Sequence, residues 1–519
     1  ENPTQSALKV LGVLAVLIAA AFLWARPVNL MNSDLGRHLQ NGRIFLSTWS
    51  VSGTNVYSYT FPDFPVINHH WGTGVLFALL EQFVGLNGLI ITMIGLELLT
   101  LALAFAIATR RSGFAAALWS ALLALPLLTS RPEMRPEILS AFFTILFLWI
   151  LFATTEWNRD KRWLWALPVL MLLWVNVHIY FFLGFAVFSC FAIQEAILVW
   201  RKKNDASRLK LMGLVFCVTL LTTLINPAGM YGALVPFTLF TNFGYALAED
   251  QTVFFLYGRD LLPLWPFYLF FVLVFIFSWI GRVFFVHTQR PFPVATTILA
   301  LGFFGMGTLA VRNMGLLGLV GLILLAEQLR ALELPKHLHA RDAVTSLLIG
   351  VVLAAGYAWL MPQYWNTMFS TASIGVQNGT NGVINFFKAE KLRGPIFNNY
   401  DSGGGLIEGL YPQERVFVDN RPEAYPEDFF TDVFIPMQED DSVWKKELEK
   451  WKFSSIIFWR HDLTPWGQDF LIRRVQDPEW APVFVDDSSI LLLRRTPENA
   501  DVIQRKELPK SMFSVTNGQ

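Results

Sequence analysis

The chain has 519 residues, 54% hydrophobic and only 15% charged, where soluble domains carry about 25% charged residues. Its 40 Lys and Arg balance its 40 Asp and Glu, so bulk electrostatics gives no reason to expect nucleic-acid binding. A mean hydropathy of +0.44 with 19 Trp and 46 Phe points to a polytopic membrane protein rich in interfacial aromatics.

A helical span needs roughly 20 apolar residues. Eleven stretches fit that description: 8–25, 87–109, 114–130, 137–155, 163–177, 180–200, 210–226, 263–281, 294–311, 314–329 and 344–362. The first has the look of a signal peptide. No small-residue cleavage site follows it and further apolar runs do, so it reads as a retained span. Cys190 and Cys217 fall inside apolar runs and read as small core hydrophobes.

Basic residues occupy every second loop. Arg110 and Arg111 follow span two, and Arg159, Lys161 and Arg162 follow span four. Arg201, Lys202, Lys203, Arg208 and Lys210 lie about the join of spans six and seven. Arg282 and Arg290 follow span eight, and Arg330, Lys336 and Arg341 follow span ten. Cytoplasmic loops are the basic ones. The alternation therefore puts the N-terminus inside and the tail outside the membrane.

The remaining loops face outward on this reading. The first, 26–86, carries Asp34, Arg37 and His38, then Asn68-His69-His70-Trp71. The run Trp71–Val84 is apolar but short and reads as a helix lying at the interface. The second loop is Arg131-Pro-Glu-Met-Arg135-Pro-Glu137, and the third is Asn176-Val-His178. The fourth, 226–262, includes Glu249 and Asp250, and the fifth is Arg312-Asn313. After about Pro362, short apolar runs at Arg415–Val418, Ser455–Trp459 and Ser489–Leu493 read as strands, and Ser442–Trp451 reads as a helix. The expected organisation is a transmembrane domain over 1–362 and a small extracytoplasmic α/β domain over 363–519.

Ionisable groups at membrane depth are costly and usually functional. Three arginines (Arg131, Arg135, Arg312) near a carboxylate suit a phosphate or diphosphate. Asp34 suits a general base or a metal ligand. Plainer roles stand beside these. Asp34 could cap the following helix, Arg131 and Arg135 could pair with Glu133 and Glu137, and His69 and His70 could be packing residues. His38, His69, His70 and His178 could form a zinc site, though their spacing carries no strong ligand signature. Glu97, within span two, could be a buried helix contact or a functional carboxylate.

The ordered features resemble the bacterial branch of the GT-C glycosyltransferases, which includes protein O-mannosyltransferases, oligosaccharyltransferases and lipid A aminoarabinose transferases. Asp34-x-x-x-His38-Leu-x-x-Gly42, Asn68-His-His-Trp-Gly72, Arg131–Glu137 with Ser140, and Trp174-Val-Asn-Val-His178 carry the resemblance. In the tail, Asn399-Tyr-Asp-Ser-Gly-Gly-Gly405 and Val416-Phe-Val-Asp-Asn-Arg421 add to it. The resemblance implies a polyprenyl-phosphate-linked sugar as donor, a catalytic carboxylate at Asp34, and an acceptor on the outer face. Arg37, His38, His69, His70, Arg131, Arg135, His178 and Arg312 are then the expected substrate-binding residues. Many relatives have two adjacent acids where this chain has Asp34-Leu35. That leaves open a divalent metal, a metal-independent reaction, or a non-catalytic subunit acting as a scaffold in a larger membrane complex.

Overall fold

The computed structural model describes residues 3–240, 243–285, 293–331 and 343–513; Arg290, Lys336 and Arg341, counted above among the basic loops, lie outside them. The chain divides into two compact units. The first joins Glu1–Arg26, Ile90–Ala233 and Leu247–Ile374, and the second joins Pro27–Leu89, Leu234–Ala246 and Gly375–Gln519. The sequence suggested a single boundary near residue 362. The units are instead interleaved, and most of the first outer loop folds with the tail.

Each of the eleven apolar stretches forms helix within the described residues. Among the described residues seven helices are long and apolar enough to cross a membrane, while Phe114–Leu128 and Val294–Leu309 are apolar but shorter. The expected fifth span is broken into a 3-10 turn, Lys161–Trp165, and a helix of 9 residues, Ala166–Trp174. Spans expose apolar side chains that water would not tolerate. On Ala343–Leu360, Leu348, Val351 and Val352 are all more than 60% exposed, while Ser346 and Gly350 face inward. Lipid is the solvent for such a surface.

In the first unit, Met314–Ala331 packs against Phe114–Leu128. The crossing is close because Gly318 has no side chain: a Cβ there would lie 2.8 Å from the backbone nitrogen of Leu128. Several helices finish in one ionic network. Arg111 pairs with Glu156 (2.8 Å) and Glu327 (2.9 Å), and Arg282 pairs with Glu327 (3.0 Å). The ends of Trp71–Ser112, Glu137–Thr155, Trp265–Phe285 and Met314–Ala331 are thus gathered together.

The second unit is α/β. Four strands, β1 (Ile396–Asn398), β2 (Ser455–Trp459), β3 (Trp480–Val485) and β4 (Ser489–Arg494), form one sheet in the order β1-β2-β4-β3. β1 is parallel to β2, and the other pairings are antiparallel. The run Arg415–Val418 is not a sheet strand. Val416 instead forms an isolated bridge with Ser58 of the first outer loop. Its neighbour Phe417 gives its backbone N–H to the Asn398 side chain (2.9 Å), so a side chain takes the place of a ladder.

Glycines explain how the outer loop seats in this unit. A Cβ on Gly405 would lie 2.6 Å from the carbonyl of Leu30, and one on Gly36 would lie 2.7 Å from the carbonyl of Gly404. The Gly403-Gly-Gly405 run is therefore the surface on which the Asp34 turn rests. The apolar run from Trp71 continues to Ser112, interrupted at Gly85 (φ 72°). That break separates the expected interfacial helix from the span.

Candidate functional site

The first unit holds the arginines. Arg131 and Arg135 sit on the short loop before Glu137–Thr155, and Arg312 sits on a 3-10 turn before Met314–Ala331. All three converge on one carboxylate that the sequence did not single out. Arg131 Nη2 and Arg135 Nη1 donate to Glu249 Oε2 at 2.6 and 2.9 Å. Arg312 Nη1 lies 3.6 Å from Glu249 Oε1, and its Nη2 lies 2.7 Å from Asp250 Oδ1. Burial pushes the Asp250 carboxyl up against the pull of Arg312.

Behind this cluster is a chain of hydrogen bonds. Trp174 Nε1 donates to Ser140 Oγ at 2.8 Å, and Ser140 Oγ lies 2.7 Å from His178 Nδ1. The Tyr180 backbone N–H also donates to that nitrogen, at 3.3 Å. An Nδ1 that accepts leaves the proton on Nε2. His178 Nε2 lies 4.0 Å from Glu137 Oε2, and Arg131 Nη1 lies 3.7 Å from Glu137 Oε1. Two sequence motifs far apart in the chain thus form one buried device that fixes the imidazole.

The arginines border a partly open cavity of about 90 Å³, or about 700 Å³ of empty space when its open mouth is included. Arg131, Arg135 and Arg312 line it together with Glu97 and the apolar side chains of Ile138, Leu316 and Leu319. Such a cavity offers charge on one wall and hydrocarbon on another, which suits an amphipathic anion. Four carboxylates, Glu133, Glu137, Glu249 and Asp250, already surround the three guanidiniums. An incoming anion must therefore displace Glu249 or share its partners.

The second unit holds Asp34, Arg37, His38, His69 and His70. Asp34 stands at the start of the Leu35–Thr48 helix, but its side chain makes no capping hydrogen bond. Its carboxylate instead accepts from the Asn420 amide and lies 3.6 Å from Arg37 Nη2. Arg37 Nε also donates to Asn420 Oδ1 (3.2 Å), so Asn420 joins both residues. The buried ring of His38 meets His70 edge-on at 5.3 Å, and His69 lies 4.0 Å from His70. His178 belongs to the other unit and is held by Ser140. Burial, assisted by Arg37, holds His69 down at about 4 against its hydrogen bond to Ile67, so the ring is neutral near pH 7.

A small polar cavity adjoins this group, lined by Arg37, Asn41, Tyr57, His69, His70, Arg421 and Glu423. Burial pushes the Glu423 carboxyl up. Tyr400 is buried, its hydroxyl has no hydrogen-bond partner among the described residues, and burial pushes its phenol up. Asn420 and Tyr400 lie in tail motifs that sequence order could not join to Asp34. A divalent metal does not fit Asp34 as it stands. The Asn420 amide and the Arg37 guanidinium beside its carboxylate are donors, and among the described residues no three His, Cys, Asp or Glu gather to hold an ion.

No protein-family model matches the chain, and no curated protein matches its sequence. Solved structures do match. The archaeal oligosaccharyltransferase AglB from Archaeoglobus fulgidus, in complex with an inhibitory peptide and a dolichol-phosphate, is similar at a TM-score of 0.59 with 14% identity, over 91% of this chain and 72% of that one. The same enzyme in complex with Zn and sulfate gives 0.59 and 14% over 93% and 73%. ArnT from Cupriavidus metallidurans bound to undecaprenyl phosphate gives 0.52 and 15% over 95% and 98%. The chain is a multi-pass membrane protein with the GT-C fold.

Proposed function

We propose that the protein is a membrane glycosyltransferase that moves a sugar from a polyprenyl-phosphate-linked donor to an acceptor on the extracytoplasmic face of a bacterial inner membrane. The observation that carries this reading is the convergence of Arg131, Arg135 and Arg312 on a cavity with apolar walls. The solved relatives bound to dolichol-phosphate and undecaprenyl phosphate support the same donor class.

The reaction has two halves. The acceptor hydroxyl loses its proton to the Asp34 carboxylate, and its oxygen bonds to the anomeric carbon. The bond from that carbon to the lipid phosphate breaks, leaving its electron pair on the phosphate oxygen. Guanidiniums stabilise that growing charge. Asn420 and Arg37 orient Asp34. His178, with its proton fixed on Nε2, donates toward the phosphate or sugar.

The test is binding of undecaprenyl phosphate to purified protein. Arg312→Gln removes one charged hydrogen-bonding partner and is expected to weaken binding by about 10-fold or more. Equal affinity in wild type and the Arg131→Gln/Arg312→Gln double variant rejects the phosphate site. Asp34→Asn is expected to bind lipid normally and to abolish transfer.

A second reading is a non-catalytic subunit that keeps the fold as a scaffold. The engagement of the lone Asp34 by Asn420 and Arg37 favours it. Stoichiometric co-purifying membrane partners, with no turnover of any polyprenyl-linked sugar, decide for this second reading.

A further inference from the structure

The first unit has a second polar basin, remote from the arginine cluster. The Glu137–Thr155 helix begins at the cluster and reaches this basin at Thr154. The rise from Glu137 to Thr154 is about 26 Å, close to the hydrocarbon thickness of a bilayer. The basin therefore opens at the opposite membrane face. Its volume is about 520 Å³, within the range of ligand sites.

The lining is cationic: Arg159, Lys161, Lys203 and Arg208. Its two acids are already engaged. Glu195, only 2% exposed, accepts from Asn204 Nδ2 (3.1 and 3.2 Å) and Arg208 Nη1 (3.3 Å). Asp205 Oδ1 accepts from the Ser207 backbone N–H at 2.6 Å. Lys161 Nζ donates to Ser207 Oγ (3.0 Å) and acts on the Asp205 carboxylate through space, while among the described residues Arg159 and Lys203 form no ion pair with a carboxylate. The Ser207–Thr222 helix starts at the rim, where Ser207 lines the basin.

Aromatics mark the depth. Trp163, Trp165 and Trp200 are 54%, 42% and 80% exposed on the segments that frame the basin. Tryptophan in this setting sits at the headgroup level of a membrane. Basic pockets between spans at that level suit the phosphates of anionic lipids.

We propose that this basin is a binding site for the phosphate headgroup of an anionic phospholipid, separate from the proposed donor site. Arg159, Lys161, Lys203 and Arg208 bind the phosphate, and Glu195 holds Arg208 and Asn204 in place.

The test is native mass spectrometry and lipid titration of the full chain with phosphatidylglycerol, phosphatidylcholine and inorganic phosphate. Wild type is expected to retain phosphatidylglycerol through mild detergent washing and to release phosphatidylcholine. Three cations at an anionic surface each contribute about fivefold, so Arg159→Gln/Lys161→Gln/Lys203→Gln is expected to weaken phosphatidylglycerol binding by about 100-fold. Arg201→Gln/Lys202→Gln, which removes charge outside the basin, is expected to change it far less. If the triple variant does not fold, Lys203→Gln alone is expected to weaken binding about fivefold. Three results overturn the proposal: undiminished binding in the basin variants, equal loss in the Arg201/Lys202 variant (a diffuse effect of loop charge), or displacement of the lipid by inorganic phosphate.

Discussion

Glu249 decides how the arginine cluster behaves. It takes hydrogen bonds from Arg131 and Arg135 and lies beside Arg312, the arrangement a phosphate would want for itself. A carboxylate in that position offsets buried positive charge in the absence of ligand and competes with any anion that arrives. Glu249→Gln is expected to raise affinity for undecaprenyl phosphate about 10-fold and to lower stability by about 1–3 kcal/mol. Titration and thermal unfolding of the same sample read both signs. His69 gives a separate prediction. Its pKa falls from the usual 6.5 to about 4 on folding, so the unfolded chain takes up the proton first. Its contribution to stability is complete above about pH 7 and is lost as pH falls through 6.5 toward 4. Comparing unfolding of wild type and His69→Asn across that window is expected to show a shallower slope in the variant.

At the scale of elements, glycines set the closest approaches. The Leu35–Thr48 helix carries Asp34 at its start and meets the helix that begins at Trp71 through Gly42 and Gly74. A Cβ on Gly42 would lie 2.0 Å from the carbonyl of Gly74, closer than any side chain can sit. Gly42→Ala is expected to push the two helices apart and to cost about 1–3 kcal/mol. Loss of thermal stability, together with loss of transfer at unchanged lipid affinity, is the expected pair of readouts. The motif Asp34-x-x-x-His38-Leu-x-x-Gly42 thus joins a polar end to a packing end. Sequence reading sees the spacing; the reason for the glycine appears only once Gly74 lies opposite it.

At the scale of the molecule, the alternation of basic loops predicts which segments share a membrane face. The network of Arg111, Glu156, Glu327 and Arg282 gathers four such helix ends at one level. The cytoplasmic assignment of that level is testable by cysteine labelling after Cys217→Ser removes the exposed native thiol. Lys203→Cys is expected to react in spheroplasts only with a membrane-permeant maleimide. Glu133→Cys, half-exposed beside the arginines, is expected to react with an impermeant one. The reverse pattern inverts the topology and removes the extracytoplasmic reaction from the proposed function.

The sequence by itself determined the membrane class, the helical stretches and the grouping of the basic loops, because span length and charge asymmetry are local quantities set by the bilayer. It also marked Arg131, Arg135 and Arg312 as one group, since ionisable residues beside apolar spans have few tolerable settings. Tertiary structure alone decided their partner. Glu249 lies more than a hundred residues from Arg131, and nothing local distinguishes it from Asp250 or Asp260. The same holds for Asn420 at Asp34, for Ser140 between Trp174 and His178, and for the folding of the first outer loop with the tail. Those pairings depend on closing long loops, and their reward is hydrogen bonds and close glycine contacts that no short window of sequence contains.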